Sequence, residues 1–120
     1  MATNQATGRL GEQYAYDHLK SRGFMVIDTN IRTKFGEIDI IATEQGKVHF
    51  VEVKTRIGDG YGKPYEAVTY YKMRHMLGSA RIYTLQNGLS QHKLSLDVVS
   101  IVLHRDSTIK TLTFYENITQ

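Results

Sequence analysis

The stretch from Gly36 to Arg56 reads GEIDIIATEQGKVHFVEVKTR and decides how the rest of the chain is arranged. Both of its ends are rich in Ile and Val, which predicts two buried strands, and Gln45 and Gly46 supply the turn between them. On the second strand the apolar residues fall on both faces. The sequence therefore predicts a central strand that is covered on two sides.

Charged side chains interrupt both strands. Glu37 and Asp39 lie two positions apart and point to one face of the first strand, and Glu52 and Lys54 share one face of the second. Ionised groups in a covered sheet are costly unless they are paired or bind a metal. Asp39 and Glu52 against one lysine leave a negative charge that Mg²⁺ or Mn²⁺ would balance, because both ions prefer oxygen ligands. The alternative is an ion cluster that serves the structure alone, and Glu37 is expected to be an outer or surface carboxylate.

A helical pattern from about Thr7 to Ser21 precedes these strands, and Gly23 is the predicted stop. Residues 1–6 are small and polar, and we expect them to be disordered. One helical face carries small and apolar residues with one carboxylate among them: Gly8, Gly11, Glu12, Ala15 and Leu19. We therefore expect the helix to lie close to the sheet, with Glu12 directed towards the core or its edge.

The remaining elements follow from composition and turn signals. They are a strand from Phe24 to Thr29, a polar connection over residues 30–35, a mainly helical segment from Pro64 to about Leu85 in which Thr69 caps a second part, and strands over Leu94–Leu103 and Thr108–Tyr115. The buried stripe predicted for the second helical segment consists of Val68, Tyr71, His75, Gly78, Ile82 and Leu85. The last strand is expected to lie at an edge, and the whole chain, residues 1–120, is expected to be one domain.

Basic residues flank the acidic strands and decorate the later helical segment. The candidates for contact with nucleic-acid phosphates are Arg32, Lys34, Arg56, Lys63, Lys72 and Arg74. Solvated surface charge is the alternative, equally weighted for Arg32 and Lys34 and the simpler explanation for Lys72 and Arg74. The glycine-rich loop that follows Arg56 also carries Tyr61, in a place that suits an element gripping a substrate.

Composition bounds the function without naming it. Fifteen Lys and Arg against 12 Asp and Glu give a formal charge of +3, which is compatible with nucleic acid and does not require it. The absence of cysteine excludes disulfides, thiolate catalysis and cysteine-ligated zinc. There is no apolar run long enough for a bilayer and no N-terminal signal segment, so a soluble cytoplasmic protein is expected. His75 fits a boundary position, and the other histidines show no metal-ligand spacing in the sequence.

Asp39 on one strand, with Glu52 and Lys54 on the next, resembles the catalytic signature of the restriction-endonuclease-like nucleases, written PD-(D/E)xK. Ile38 stands where a proline often precedes the first acid. A longer pattern is more specific. It comprises Gly8, Gly11, Glu12, Gly23, Phe24, Asn30, Gly36–Ala42, Phe50–Arg56, Glu66–Val68 and Asp97–Val99. From about Gly8 to Leu103 the chain resembles the YraN family, small bacterial proteins related to archaeal Holliday-junction resolvases.

The resemblance implies an α/β, restriction-endonuclease-like fold with a central mixed sheet of about five strands flanked by helices. It also implies metal-dependent hydrolysis of phosphodiester bonds in DNA, with branched or junction DNA as one substrate class, in repair or recombination. Asp39, Glu52 and Glu12 would hold Mg²⁺ or Mn²⁺, and Lys54 would complete the catalytic set. Lys72 is the candidate for a polar residue that, in related nucleases, a helix after the E-x-K strand places near the metal.

Related resolvases are dimers, so the resemblance also implies a homodimer, whereas neither a membrane nor a small organic cofactor is expected. Family members usually carry Arg and an aromatic residue before Asp97, where this chain has Ser95 and Leu96. Asp97 is therefore expected to be a structural partner for a basic side chain. The alternative function is a non-catalytic module on a nuclease fold that binds nucleic acid or a protein.

Overall fold

The computed structural model describes residues 4–58 and 69–119. Within these ranges the chain forms α1 (Asn4–Ser21), β1 (Met25–Thr33), β2 (Gly36–Glu44), β3 (Lys47–Ile57), α2 (Tyr70–Gln86), β4 (Lys93–Leu103) and β5 (Ile109–Tyr115). The strands form one sheet in the order β1-β2-β3-β4-β5, in which β3 and β4 are parallel and the other neighbours are antiparallel. This mixed sheet with flanking helices confirms the predicted α/β architecture, is consistent with a restriction-endonuclease-like fold, and leaves β5 at an edge as predicted.

The central strand β3 feeds two separate cores. Its Val51 packs with Ala15 and Leu19 of α1 on one face of the sheet. Its Phe50 packs with Met76 of α2 on the other face. Full burial of a side chain of this size contributes about 1.5–3 kcal/mol, so both helices are fixed against the same strand and the predicted two-sided covering is confirmed.

Helix α1 lies unusually close to β3. A Cβ atom added to Gly11 would overlap the side chain of Thr55 on β3, which confirms the close packing predicted from the small residues of this face. The helix ends at Ser21, and Gly23 follows with a φ of +89°, a conformation that favours glycine. The expectation of disorder over residues 1–6 is wrong for residues 4–6, which are helical. Residues 1–3 lie outside the described ranges.

Strand β1 is longer than predicted. The expected polar connection over residues 30–35 is wrong for most of its length, because Ile31 pairs with Ile38, Arg32 with Glu37 and Thr33 with Gly36. A connection of two residues suffices here because Gly36 adopts a φ of +132°. The polar side chains therefore belong to a hairpin and not to a loop.

Helix α2 is capped as predicted: the Thr69 hydroxyl accepts a hydrogen bond from the Lys72 amide at 3.2 Å. Its predicted buried stripe is wrong, since the side chains of Tyr71 and Leu85 are 70% and 76% exposed. The buried residues are Met76, Ser79, Ala80 and Tyr83, mostly one position after the predicted ones. The part of the prediction that covers residues 64–68 lies outside the described ranges. None of the helices in the described ranges is long and apolar enough to cross a membrane.

Candidate active site

Asp39 lies where β2 separates from β3. The two strands pair from Ile40, opposite Val51, towards the turn that joins them. Beyond that point the Val53 amide donates to Asp39 Oδ2 at 2.8 Å. The carboxylate therefore takes the place of a backbone partner at the fork between the strands, and the fold fixes its position.

Glu52 and Lys54 follow on β3, just past this fork. Lys54 Nζ lies 3.2 Å from Glu52 Oε1, and each side chain is 23% exposed. Lys72 of α2 approaches the same pair. The positive charge of Lys54 lowers the pKa of Lys72, with a side-chain contact between the two lysines and an opposing contribution from Glu52. Two ammonium groups thus gather beside one predicted metal ligand.

Glu12 reaches the fork from α1 and is tied to the sheet by Asn30 of β1. With its amide oriented towards its acceptors, Asn30 donates to Glu12 Oε1 at 3.0 Å and to Glu37 Oε1 at 3.2 Å. Asn30 has a φ of +51°, a left-handed conformation that Asn tolerates better than most residues. A local irregularity of β1 therefore positions two carboxylates. We call Glu12, Asp39, Glu52 and Lys54 the acidic fork.

The carboxylates of the acidic fork repel one another. Burial raises the pKa of Asp39 to about 7, the negative charge of Glu52 adds to the shift, the Val53 amide opposes it, and Glu12 and Glu37 add smaller contributions. Burial also raises the pKa of Glu12, partly offset by the hydrogen bond from Asn30. Groups of this kind release their protons readily when a cation lies between them.

Two open clefts give access to these side chains. One, of about 330 Å³, is lined by Glu12, Asn30 and Asp39 together with residues of α1 and β1. The other, of about 190 Å³, is lined by Glu37, Glu52, Lys72 and Met76. The acids can therefore be reached from both faces of the sheet, on the side of α1 and on the side of α2.

The acidic fork offers oxygen ligands without forming a closed cage. In residues 4–58 and 69–119, Glu12, Asp39 and Glu52 do not bring three ligand atoms within 4.8 Å of one another. Mg²⁺ usually keeps several of its waters and is held by one or two protein carboxylates. Asp39 and Glu52, with Glu12 acting through water, fit an ion of that kind because their mutual repulsion is relieved when a cation binds.

The predicted phosphate-contacting residues are dispersed. Arg32 is 82% exposed and lies 3.3 Å from Glu37 Oε2. Lys34 Nζ lies over the Phe35 ring at 5.3 Å, and Arg74 Nη1 donates to the Tyr70 hydroxyl at 3.2 Å. Arg56 continues β3 beyond the acidic fork. Lys72 lines a cleft of the fork, whereas Lys63 and Tyr61 lie outside the described ranges.

The opposite end of β2 and β3 holds a second polar group that the sequence analysis missed. His49 is fully buried, and its Nδ1 lies 2.7 Å from Asp97 Oδ2. Asp97 is thus the partner of a basic side chain, as its sequence context predicted. Around His49, Glu44 and Glu116 bring ligand atoms to within 4.8 Å of the imidazole and of each other. We call Glu44, His49, Asp97 and Glu116 the imidazole cluster.

Comparison with known proteins gives one consistent result. Residues 11–101 match the sequence model of "Uncharacterised protein family UPF0102". The chain is 38% identical over 106 residues to a UPF0102 protein of Alkaliphilus metalliredigens, covering 88% of this chain and 93% of that protein. It is 40% identical over 100 residues to one of Dictyoglomus turgidum, covering 83% and 85%. A third, from Clostridium acetobutylicum, is 36% identical over 114 residues and covers 95% and 93%.

Proposed function

The chain belongs to the uncharacterised protein family UPF0102, and we propose that it is a divalent-metal-dependent endonuclease that hydrolyses phosphodiester bonds in DNA. The single observation that carries the proposal is the acidic fork, where Asp39 and Glu52 repel each other at a split between two strands with Lys54 beside them. Structure alone gives no reason to bury such repulsion. A divalent cation held by Asp39 and Glu52 would relieve it.

Asp39 and Glu52 would hold Mg²⁺ or Mn²⁺, and Glu12 would complete the coordination through water. When bound, such an ion supplies Lewis-acid chemistry, which is charge stabilisation at the phosphate and activation of water. Asn30 keeps Glu12 directed at the fork through its 3.0 Å hydrogen bond. The Val53 amide does the same for Asp39 at 2.8 Å.

Lys54 acts in the proposal as a fixed positive charge. Its 3.2 Å contact with Glu52 holds the ammonium beside the ligands, where it orients the attacking water or offsets charge that develops in the transition state. This electrostatic role works with the lysine protonated, whereas a general base would have to be neutral. Lys72, whose pKa is lowered by Lys54, lies on the solvent side of this pair. In the proposal it would contact the phosphate backbone of the DNA.

DNA with branches or ends is the substrate class that we propose for repair or recombination in the cytoplasm, with a homodimer acting on it. A non-catalytic nucleic-acid-binding module is the second candidate. It is favoured by one observation: Glu12, Asp39 and Glu52 do not form a closed three-ligand group in the described part of the chain. An endonuclease needs the metal in order to cleave DNA, whereas a binding module retains its affinity for DNA and does not cleave it.

The test is cleavage of labelled four-way junction, fork, single-stranded and linear duplex DNA with Mg²⁺ or Mn²⁺. Asp39→Ala and Lys54→Ala are compared with the unchanged protein, and Asp17→Asn serves as a control because Asp17 is an exposed carboxylate of α1. Cleavage that needs metal, persists in the control and disappears in both variants supports the endonuclease. Equal binding by all four proteins with no cleavage overturns it in favour of the binding module.

A further inference from the structure

The imidazole cluster lies at the end of the sheet opposite the acidic fork and is built by strand register. His49 of β3 stands between Ala42 of β2 and Ser95 of β4 in one cross-strand row. Glu44 and Asp97 lie two positions along from those neighbours, so their side chains point to the same face as His49. The segment after β5 adds Glu116, because the Asn117 amide donates to Asp97 Oδ1 at 2.9 Å.

One nitrogen of His49 has a partner and the other does not. Nδ1 lies 2.7 Å from Asp97 Oδ2, while Ser95 Oγ donates to the other oxygen of that carboxylate at 2.6 Å. Nε2 is buried and makes no hydrogen bond within the described part of the chain. A buried polar atom without a partner is costly. A cation shared with a neighbouring carboxylate would satisfy it.

Glu44 supplies the carboxylate oxygen nearest to Nε2, and the distance between the two atoms is close to that between two ligands of one metal ion. Glu44 Oε1 lies 3.6 Å from His49 Nε2, which is too long for a hydrogen bond. Two ligands of one tetrahedral Zn²⁺ stand roughly 3.3–3.5 Å apart, given metal–ligand distances of about 2.0–2.2 Å. Glu116 Oε2 lies 3.8 Å from the ring at Nδ1, and its side chain is 44% exposed. Glu44, His49 and Glu116 each offer a ligand atom within 4.8 Å of the other two.

Charge balance favours the same conclusion. Three carboxylates lie within 4 Å of His49: Glu44, Asp97 and Glu116. A protonated imidazole would offset one of these charges, whereas a divalent cation offsets two and satisfies Nε2 at once. The hydrogen bond from Nδ1 to a carboxylate is also the arrangement that orients a metal-binding histidine.

We propose that Glu44, His49 and Glu116 form a second metal site, for a transition-metal cation of the zinc class, with Asp97 as the residue that orients the imidazole. An imidazole and carboxylates select such a cation, whereas oxygen ligands alone suit Mg²⁺. Bound there, the metal joins the β2–β3 hairpin to the segment after β5. The site is thus a cross-link between distant parts of the chain and is independent of the proposed endonuclease activity.

The experiment uses the full chain, stripped of metal with EDTA and titrated with Zn²⁺ by calorimetry, with Co²⁺ as a spectroscopic probe and the thermal midpoint as a second readout. Glu44→Gln and Glu116→Gln, singly and together, remove ligands without emptying the core, because both side chains are partly exposed. Asp17→Asn is the matched control. Asp39→Asn/Glu52→Gln removes two of the three carboxylates of the acidic fork.

We expect the unchanged protein, the control and the Asp39→Asn/Glu52→Gln variant to take up one equivalent of Zn²⁺, with tetrahedral Co²⁺ absorption and a higher thermal midpoint. In Glu44→Gln/Glu116→Gln the affinity should fall by at least the roughly 10–100-fold that the loss of an outer partner of a metal ligand costs. Zinc affinity that survives in that variant overturns the proposal. So does a loss of uptake in the fork variant alone, or no uptake by the unchanged protein.

Discussion

The acidic fork and the imidazole cluster occupy opposite ends of β2 and β3 and treat carboxylates differently. At the fork the strands part, the acids face open clefts, and a backbone amide and lysines are their partners. At the cluster the strands remain paired, and the acids surround one buried imidazole. The same two strands therefore present carboxylates with lysines at one end and carboxylates around an imidazole at the other.

The comparison shows that strand pairing determines how accessible a polar side chain is. Where the ladder is broken, a side chain such as Asp39 accepts the hydrogen bond of the Val53 amide and lies beside an open cleft. Where the ladder is intact, cross-strand neighbours such as His49 are held deep between elements, so a ligand there serves to join them. We therefore expect chemistry at the fork and stabilisation at the cluster.

The largest effect is expected from Asp39→Asn, which should lower metal-dependent cleavage by about 10²–10³-fold, the size typical for loss of one electrostatic contact to the transition state. Its affinity for Zn²⁺ should be unchanged, because the imidazole cluster shares no ligand with the fork. Cleavage rates and zinc calorimetry on the same preparation check both halves. A parallel loss of zinc would break the distinction between the two ends.

Gly11→Ala should destabilise the fold by about 1–3 kcal/mol, because the new methyl group overlaps the side chain of Thr55 and there is no space for it between α1 and β3. Gly8→Ala is the matched control, since a Cβ there has nothing within 4 Å and alanine favours a helix by about 1 kcal/mol. Urea denaturation measures both. Opposite signs are expected, and equal stability of the two variants would contradict the close packing of α1 on β3.

The stability of the metal-free protein should fall as pH rises through the range between the ordinary Asp pKa of 3.8 and about 7. An acid whose pKa is higher in the folded chain than in the unfolded one stabilises the fold while it is protonated, and that contribution is lost on ionisation. These two pKa values correspond to a loss of about 2–3 kcal/mol, or roughly 10 °C in the thermal midpoint, between pH 5 and pH 8.

This pH dependence is measured with EDTA present and compared with Asp39→Asn, which lacks the fork carboxylate whose pKa is raised to about 7 and should show a flatter profile. Adding Mg²⁺ at pH 8 should restore the midpoint of the unchanged protein alone. Identical profiles for the two proteins would mean that the acidic fork stores no repulsion.

The smallest effect is expected from Lys72→Gln, which should weaken DNA binding by a few-fold and reduce the slope of log affinity against log salt by about 0.9, the value for one phosphate contact on duplex DNA. Lys93→Gln is the control, because Lys93 is exposed and begins β4 at the cluster end of the sheet. Fluorescence anisotropy over a salt series measures the two slopes. Equal changes in the two slopes would mean that the acidic fork is not part of the DNA-binding surface.

Local sequence was enough to predict the central strand and the candidate fork residues. The alternation of side chains along a strand places Glu52 beside Lys54 without knowledge of the rest of the chain, and the structure brings Asp39 and Glu12 to the same region. The glycines of α1 likewise predicted its close approach to the sheet, because Gly11 on the inner face has no side chain to hold the helix away from β3.

Two features could not be predicted from the sequence because they depend on partners that are distant along the chain. His49 shows no ligand spacing along the chain, and it gains Asp97 and Glu116 through the pairing of β3 with β4 and of β4 with β5. The predicted buried face of α2 was wrong by about one residue because the helix carries apolar residues on more than one of its faces. Tyr83 turns inward, where its hydroxyl donates to Asp28 Oδ2 at 3.2 Å, and periodicity carries no information about that partner.

The parallel pairing of β3 with β4 also has a consequence for the order of folding. Strands β1 to β3 form a meander with short turns, so their pairing is local in sequence. In the pairing of β3 with β4, Lys47 meets Lys93 and Ile57 meets Leu103, and the partners of each pair are 46 residues apart. Non-local parallel pairing of this kind is intrinsically slow. Until β4 is synthesised, one edge of β3 is open and apolar, which is the state that recruits strands from other chains. We expect chains truncated before β4 to aggregate.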